Sequence, residues 1–277
     1  MRNMFLNIMK PYQRQKEIDS ILSSKKYRSL NIPRETLEDL FASIEPKVKS
    51  QKDLLKQVRH KLHNIVAPYL GDPDYAQSIL DLEAAFLGAD DDSQIKSICQ
   101  RILESHSSTR ERIPYLRQFY SSIFKITGTP QIILDLACGL NPLSLRWMDL
   151  RGDVQYHAYD LHHPRINLVN RYFELEGLPT LAEHRDILVD PPDTKADLAF
   201  FFKEAHRFEQ RRHGCNREFW QALNVEHLVV SLPAASLDGK RSLTERQYRL
   251  VSNTIKDLPY DMVDLSIGNE IVFIISK

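Results

Sequence analysis

The sequence lacks the features that would place a protein in or across a membrane. None of the apolar runs in its 277 residues approaches the roughly 20 residues that a membrane-spanning helix needs. The apolar stretch near the start, residues 4–9, is too short and too interrupted for a signal peptide. We therefore expect a cytoplasmic protein without a membrane partner.

Cysteine is also scarce. The three cysteines, Cys99, Cys138 and Cys215, lie far apart in the chain, and no Cys-x-x-Cys motif or paired histidines accompany them. This distribution argues against a disulfide framework and against a zinc site. We expect free thiols and no bound metal.

Only nine residues are glycine, and a single one lies in the turn that follows the apolar stretch 132–136. This stretch reads as a buried parallel strand, after which Gly139, Asn141 and Pro142 turn the chain towards a helix. A pyrophosphate cofactor needs a glycine-rich turn, whereas this turn carries a carboxylate, Asp135, at its entrance. The turn therefore suits a cationic ligand such as S-adenosylmethionine (SAM), which has a sulfonium and an α-amino group but no phosphate. An ordinary strand-to-helix turn is the alternative.

The chain has no net excess of either charge, because 37 Lys and Arg residues balance 37 Asp and Glu residues. The two signs are nevertheless separated along the sequence. Residues 1–70 contain 14 basic and 7 acidic residues, a balance of +7, whereas residues 71–105 contain 2 and 8, a balance of −6. A basic first quarter favours a polyanionic partner, since Lys and Arg gain affinity by displacing counterions from phosphates. A solvated helical surface is the alternative.

Residues 1–106 are predicted to form a small all-α domain. Apolar residues recur there at helical spacing, as in Leu37, Leu40, Phe41 and Ile44, and prolines separate the segments. Two of the predicted helices lie near 74–87, with Asp72 as N-cap and Gly88 at its end, and near 94–105, with Ser93 as N-cap. The basic residues that favour RNA docking by this domain are Lys25, Lys26, Arg28, Arg59, Lys61 and His63.

From residue 107 to 277 strands and helices alternate, which predicts a parallel sheet with right-handed crossovers. Strands are predicted near 131–137, 154–160, 181–185, 196–202, 226–232, 260–266 and 270–276. Helices are predicted near 109–126, 142–150, 164–176, 216–224 and 242–257. Gly268 and Asn269 join the last two strands as a hairpin. An antiparallel seventh strand is typical of SAM-dependent methyltransferases, so we predict an α/β, Rossmann-like, seven-stranded domain of that class.

Ligands of open parallel sheets bind outside the carboxyl ends of the strands. The side chains that follow the strands are therefore candidates for binding the cofactor. Asp160 ends the second strand, where its carboxylate can accept from both ribose hydroxyls; a helix N-cap is its alternative role. Asp186 follows the third strand and can accept from the adenine amino group while Ile187 packs on the ring; a surface turn is the alternative. Arg112, just before the sheet, can hold the methionine carboxylate as a bidentate partner.

Several motifs spread over most of the chain have to be explained together. They are I-L-S-S-K-K-Y-R at 21–28, R-H-K-L-H at 59–63, S-T-R-E-R at 108–112, D-L-A-C-G-L-N-P-L at 135–143, D-I-L at 186–188, F-K at 202–203, and S-L-P at 231–233 with Ser236-Leu237. This set resembles the Arm-type aminoglycoside-resistance methyltransferases, which modify N7 of a decoding-site guanine of 16S ribosomal RNA within the assembled 30S subunit. The joint presence of C-G-L-N-P and K-K-Y-R is far more specific than a generic SAM motif.

The resemblance implies which residues dock on RNA, which bind the cofactor and which position the target base. The N-terminal helices would dock on ribosomal RNA, and the cofactor would be held by Arg112, Asp135, Ala137, Gly139, Asp160, Asp186 and Ile187. The target base would be positioned by Lys203, Ser231 and Pro233. Independently of the resemblance, their charge leads us to expect that Arg207, Arg211 and Arg212 stabilise the distorted RNA and that Lys240 contacts RNA. No general base is expected, because guanine N7 carries an unprotonated lone pair. Methylation of this guanine would give resistance to 4,6-disubstituted deoxystreptamine aminoglycosides. We expect no obligate protein partner.

The chain also departs from the family pattern. After Lys203 the family usually has a leucine- and proline-rich helix, whereas this chain has residues 204–209, E-A-H-R-F-E, and Ala234 or Ala235 replaces a common arginine. These changes flank the RNA side rather than the cofactor side. Three rival functions remain: methylation of adenine N1 in 16S RNA, a non-catalytic RNA-binding or assembly protein with this fold, and a small-molecule methyltransferase with a helical lid.

Overall fold

The computed structural model describes residues 8–67, 73–88, 92–236 and 239–277. Its first three helices are α1 (Pro11–Leu22), α2 (Arg34–Ile44) and α3 (Gln51–Val66), and they enclose a core of their own. The residues at its centre, all fully buried, are Ile18, Leu37, Leu40, Phe41, Leu54, Val58 and Leu62. Helix α3 begins after Ser50, whose hydroxyl accepts a hydrogen bond from the backbone N–H of Asp53 at 3.1 Å. We call this three-helix segment the helical unit.

The second part of the chain contains a seven-stranded sheet. Its strands are β1 (Ile132–Leu136), β2 (Gln155–Asp160), β3 (Ala182–His184), β4 (Ala196–Phe202), β5 (Val225–Pro233), β6 (Asp261–Ile267) and β7 (Glu270–Ser276). The order is β3-β2-β1-β4-β5-β7-β6, and β7 runs antiparallel to both of its neighbours while the other pairs are parallel. All seven predicted strands are confirmed. The strand order reverses between β1 and β4, which is where open α/β sheets bind ligands.

Helices cover both faces of the sheet. They are α6 (Ser107–Arg110), α7 (Leu116–Thr127), α8 (His163–Leu175), α9 (Ala205–Arg211), α10 (Cys215–Ala222) and α11 (Thr244–Ile255). Along β4, Leu198 and Phe200 belong to one buried cluster and Ala199 and Phe201 to the other, because successive side chains of a strand point to opposite faces. Within the described ranges, no helix is long and apolar enough to cross a bilayer.

Two predictions about these helices need correction, and one helix was missed. The helix predicted over 109–126 is divided into α6 and α7 by a 3₁₀ turn, Ile113–Tyr115, whose central Pro114 has no backbone N–H to donate. The helix predicted over 142–150 is a 3₁₀ segment, Asn141–Trp147. Helix α9 was not predicted at all. The helices predicted near 164–176, 216–224 and 242–257 are confirmed with end points shifted by one or two residues.

The next two helices of the chain, α4 (Tyr75–Gly88) and α5 (Asp92–Glu104), pack on α8 and on the 3₁₀ segment Asn141–Trp147 rather than on the helical unit. Their residues Leu82, Cys99 and Leu103 share one buried cluster with Phe119 and Tyr172 of α7 and α8. Both helices were predicted, but Ser93 lies inside α5 and is not its N-cap, and Asp72 lies outside the described residues. The domain boundary at residue 106 stays a prediction; among the described residues the separate core ends with α3.

The β6–β7 hairpin predicted at Gly268-Asn269 is confirmed. Gly268 has a φ of +56°, and a Cβ at this position would lie 2.6 Å from the ring of Tyr115. Glycine is therefore favoured by the backbone conformation, and a larger residue would also have to displace the ring of Tyr115. The turn places Glu270, the first residue of β7, against the carboxyl ends of the central strands.

Candidate functional site

A cavity of about 630 Å³ opens beside the carboxyl ends of β1, β2 and β4. This volume lies within the range of roughly 300–1,000 Å³ that is typical of small-molecule sites. The loops after the strands form one wall, and helix α3 forms another with His60, Lys61, Asn64 and Ile65. The cavity therefore lies between the sheet and the helical unit, at the reversal of strand order.

The loop after β1 reaches the cavity through two left-handed residues. Ala137 has a φ of +55° and Gly139 a φ of +57°, and both line the cavity together with Cys138. A non-glycine residue in this conformation costs about 1–3 kcal/mol and is concentrated at functional sites. The backbone N–H of Gly139 donates to Asp160 Oδ2 at 3.0 Å, which fixes the loop against β2.

Asp160 lies at the end of β2 and lines the cavity, as predicted from its place in the sequence. Its Oδ1 accepts from the backbone N–H of His162 at 2.9 Å, and its Oδ2 accepts from Gly139 and from Arg165 at 2.9 Å. These are three contacts for a carboxylate that offers about four lone-pair sites. Arg165 was not among the predicted site residues, since position alone did not show that α8 turns this guanidinium onto the strand end.

Asp186 follows β3 and is 1% exposed. Arg211 donates to its Oδ1 and pairs with its Oδ2, both at 2.8 Å, and the hydroxyl of Thr36 donates to Oδ2 at 2.7 Å. The adjacent Ile187 lines the cavity. The proposed contact between Asp186 and an adenine amino group stays a prediction, and the structure adds that both carboxylate oxygens already have protein donors.

Arg112 lines the cavity but is held by a buried partner. Its Nε and Nη2 donate to the two carboxylate oxygens of Glu270 at 3.0 and 2.8 Å, and its Nη1 donates to Asn141 Oδ1 at 2.9 Å. The guanidinium carbon lies 4.2 Å from the ring centroid of Phe119 and 4.4 Å from that of Phe202. Burial alone would raise the pKa of Glu270, but Arg112 and then Lys203 outweigh it and lower this pKa. The bidentate carboxylate partner in the structure is thus Glu270, which sequence reasoning missed.

Asp135 is not among the residues that line the cavity, and its contact with the cofactor stays a prediction. It is 1% exposed and lies behind the loop, where it accepts from Asn141 Nδ2 at 2.9 Å and from the Tyr156 hydroxyl at 2.7 Å. Burial raises the pKa of this carboxyl to about 7, although both hydrogen bonds oppose the shift. Asn141 in turn accepts from Arg112 and from Tyr120, so Asp135 supports the loop through a buried polar network.

Lys203 directly follows β4 and has a left-handed conformation with a φ of +61°. Its backbone N–H donates to the carbonyl of Ser231 at 2.8 Å, and its Nζ donates to Glu111 Oε2 at 2.8 Å. Lys203 and Pro233 line the cavity, whereas Ser231 is fully buried behind them. The three residues predicted to position a target base are therefore adjacent in space, with two of them facing the cavity. Leu237, the last residue of the quoted motifs, lies outside the described residues.

Comparison with known proteins identifies the class to which this geometry belongs. The sequence profile of the family described as "Ribosomal RNA methyltransferase (FmrO)" matches residues 23–270. The chain belongs to this family. As a member of the FmrO family, the protein is a SAM-dependent enzyme, and its expected class and cofactor are confirmed.

Individual relatives agree with the family match. The chain is similar to proteins named 16S rRNA (guanine(1405)-N(7))-methyltransferase from Micromonospora echinospora, at 31% identity over 81% of this chain and 83% of the relative, and from Serratia marcescens, at 30% identity over 94% and 97%. Among solved structures it is similar to the 16S rRNA methyltransferase RmtF in complex with S-adenosyl-L-homocysteine. That match has a TM-score of 0.77 and 26% identity, and covers 97% of this chain and 99% of the other.

The basic residues predicted to touch RNA do not all face solvent in this FmrO-family chain. Lys25, Lys26, Arg28, Arg59 and Lys240 are exposed. Lys61 instead donates to the carbonyls of Arg211 and Gln210 at 2.6 and 3.2 Å, and His63 has a buried Nδ1. Arg211 is only 8% exposed and pairs with Asp186 and Asp39, so we no longer include it in the RNA surface.

The segment that departs from the Arm-type pattern also reaches the cavity. Glu204, His206 and Arg207 all line it. Burial raises the pKa of Glu204 to about 7 and lowers the pKa of His206 to about 4, because the wall disfavours the charged form of each. The residues that replace the leucine- and proline-rich sequence therefore contribute ionisable groups to the cavity. Sequence reasoning placed only Arg207 of these three at the site.

Proposed function

We propose that this protein transfers a methyl group from SAM to N7 of the guanine that its relatives' names call 1405, in 16S rRNA within the 30S subunit. The proposal depends on one observation, the composition of the cavity walls. The loops after the parallel strands, where a cofactor is expected, form one wall, and the basic helical unit forms the other. A cofactor bound on one side and an RNA bound on the other would meet there. The protein would act in the cytoplasm and need no protein partner beyond the ribosomal subunit.

The donor set of the cavity fits SAM. Asp160 retains an acceptor position for a ribose hydroxyl beside its three protein contacts, and Ile187 offers an apolar surface for a base. Gly139 leaves space close to the backbone, since only a side-chain nitrogen of Arg165, at 3.8 Å, lies near its missing Cβ. SAM, when bound, supplies a sulfonium-activated methyl group. Asp160, Ile187, Ala137 and Gly139 are the residues that we propose hold it.

Positioning is the chemistry that the protein has to provide. Guanine N7 needs no deprotonation, and holding reactants at near-attack distance can lower a barrier by roughly 7–11 kcal/mol. Lys203 is held by its strained backbone, by Ser231 and by Glu111, and it offers a fixed cationic wall for the target nucleotide. Withdrawing the target guanine from its base stack costs a few kcal/mol, and contacts with RNA phosphates have to offset this free energy. We propose Lys25, Lys26, Arg28 and Arg59 for these contacts, since they are exposed on the helical unit.

Replacing Asp160 by asparagine should weaken SAM binding by about 1–3 kcal/mol, the scale of leaving a buried polar partner unpaired. An amide NH₂ would face the N–H donors of Gly139, His162 or Arg165, all of which now point at carboxylate oxygens. Titration calorimetry with SAM measures the change. Asp197→Asn is the matched control, because Asp197 accepts backbone hydrogen bonds from Gln131 and Ile132 at the opposite end of β1. Equal affinities of the two variants would remove Asp160 from the cofactor site.

Expression in a susceptible bacterium should give resistance to gentamicin and kanamycin. A methyl group on guanine N7 removes a hydrogen-bond acceptor and adds a fixed positive charge, which repels the polycationic 4,6-disubstituted deoxystreptamine drugs. Drugs of the 4,5-linked type, such as neomycin, and apramycin should be spared. The growth assay is paired with mass spectrometry of 16S rRNA after incubation of purified protein, SAM and 30S subunits, which locates the methyl group.

The rival functions give different results in the same pair of assays. A methyl group on adenine N1 with cross-resistance to apramycin would indicate the adenine target. SAM binding without methylation of 30S subunits would indicate a non-catalytic RNA-binding protein. Methylation of neither RNA base, with no binding to 30S subunits, would leave the small-molecule methyltransferase.

A further inference from the structure

The helical unit is bonded to the cofactor side of the cavity by buried polar side chains. Thr36 of α2 is fully buried, and its hydroxyl donates to Asp186 Oδ2 at 2.7 Å across 150 residues of sequence. One turn further along α2, Asp39 pairs with Arg211 at 3.0 Å, and Arg211 pairs with Asp186 at 2.8 Å. Polar contacts thus join Thr36 to Asp186, Asp186 to Arg211 and Arg211 to Asp39, and we call these four residues the latch.

A second connection runs from helix α3. Lys61 donates to the backbone carbonyl of Arg211 at 2.6 Å, so that the last residue of α9 is held through both its side chain and its backbone. Burial, and after it the charges of Lys47 and Arg211, lowers the pKa of Lys61. The same helix lines the cavity opposite Asp186 and Ile187. Both α2 and α3 therefore contact the loop and helix that border the proposed adenine position.

The apolar cores do not provide this connection. The buried residues of the helical unit form one cluster and those of the two sheet faces form two others, and no buried apolar residue belongs to more than one. The helical unit thus keeps its own core, and the latch and Lys61 supply directional bonds that join it to the sheet side. A cluster of directional bonds has few alternative arrangements, which makes it suited to coupling two sites.

We propose that the latch couples rRNA docking on the helical unit to SAM binding in the cavity, with Thr36 and Asp39 as positioning residues. The identity of the two ligands rests on the proposed function. A cofactor that packs on Ile187 contacts the loop that Asp186 anchors, and so favours the arrangement in which α2 is bonded to that loop. Thermodynamic linkage makes the coupling reciprocal: if docked RNA increases the affinity for the cofactor by a given factor, the cofactor increases the affinity for RNA by the same factor.

The test uses an isosteric pair of variants. Thr36→Val removes the hydroxyl at constant shape, and Thr36→Ser restores it; Asp39→Asn removes the negative charge that pairs with Arg211. Asp19→Asn is the control, because Asp19 pairs with Arg34 inside the helical unit. Binding of 30S subunits is measured with and without saturating S-adenosylhomocysteine. The parent, Thr36→Ser and Asp19→Asn should bind about 5–10-fold tighter with the cofactor, near the low end of typical couplings, whereas Thr36→Val combined with Asp39→Asn should lose this ratio.

A second readout does not depend on the RNA target. Amide hydrogen exchange of the parent should show slower exchange in α2 when S-adenosylhomocysteine binds, and the Thr36→Val, Asp39→Asn variant should not show it. Unchanged exchange in α2 of the parent, or an unchanged ratio in the double variant, would overturn the coupling. Failure of the proposed function is separate, because it would appear as absence of methylated 30S RNA in the parent whatever the exchange result.

Discussion

Replacing Glu270 by glutamine should lower the free energy of unfolding by about 3–5 kcal/mol, the cost of leaving one member of a buried ion pair without its partner. The side chains of Arg112 and Glu270 are 4% and 3% exposed, and they are joined by two hydrogen bonds. In addition, Lys203 Nζ lies 3.4 Å from Oε1 of the same carboxylate. The neutral variant would leave the buried Arg112 without its anion, while Lys203 would keep Glu111 as its carboxylate partner. Chemical denaturation at neutral pH measures the loss.

An exposed ion pair of the same chain provides the control. Arg249 and Glu245 approach to 2.7 Å on α11, but their side chains are 68% and 88% exposed. Glu245→Gln should therefore change the free energy of unfolding by at most about 0.5 kcal/mol. Adding Arg112→Met to Glu270→Gln should recover part of the loss, because the unpaired buried charge is then gone. Similar small losses for Glu270→Gln and Glu245→Gln would show that the buried pair carries no special stability.

The sheet was predictable from the sequence because buried parallel strands are short apolar runs bounded by turn residues. Strands β1, β4 and β5 have this form, and the hairpin at Gly268 fixes the antiparallel end of the sheet. Helix α9 was missed because its seven residues are too few to show a periodic pattern, and three of them are charged. Their helical conformation depends on the packing of Ala205 and Phe208 against the sheet.

The positions of the site residues were partly predictable and their partners were not. Asp160 and Asp186 follow parallel strands, and the carboxyl ends of such strands meet at one edge, so their proximity follows from the pattern alone. The partners Thr36 and Glu270 lie 150 and 158 residues away from the residues that they bond. Such contacts are set by how the helical unit and β7 pack, which local periodicity does not specify. The burial of Arg211 was missed for the same reason.

Replacing Asp135 by asparagine should stabilise the fold at neutral and alkaline pH while weakening the cofactor site. The pKa of this carboxyl is raised from 3.8 to about 7, mainly by burial. Between these two values the folded state holds a proton that the unfolded state has released, so the free energy of unfolding falls as the pH rises. The full penalty is present above about pH 7 and absent near pH 4. At 1.36 kcal/mol per pKa unit it amounts to up to about 4 kcal/mol.

Asparagine is uncharged at every pH, and its carbonyl oxygen can still accept from Asn141 and Tyr156. The difference in free energy of unfolding between Asp135→Asn and the parent should therefore grow from about 1 kcal/mol at pH 4.5 to about 4 kcal/mol at pH 8, as measured by denaturation at both pH values. Taking the difference cancels the other groups that titrate in this range, and Asp261→Asn on the exposed edge of β6 should stay within about 0.5 kcal/mol throughout. We propose that this carboxylate is retained because its charge favours a cationic cofactor bound above the loop that it supports. SAM should accordingly bind more weakly to Asp135→Asn, and a variant that gained stability yet bound SAM with full affinity would show that the charge serves the loop alone.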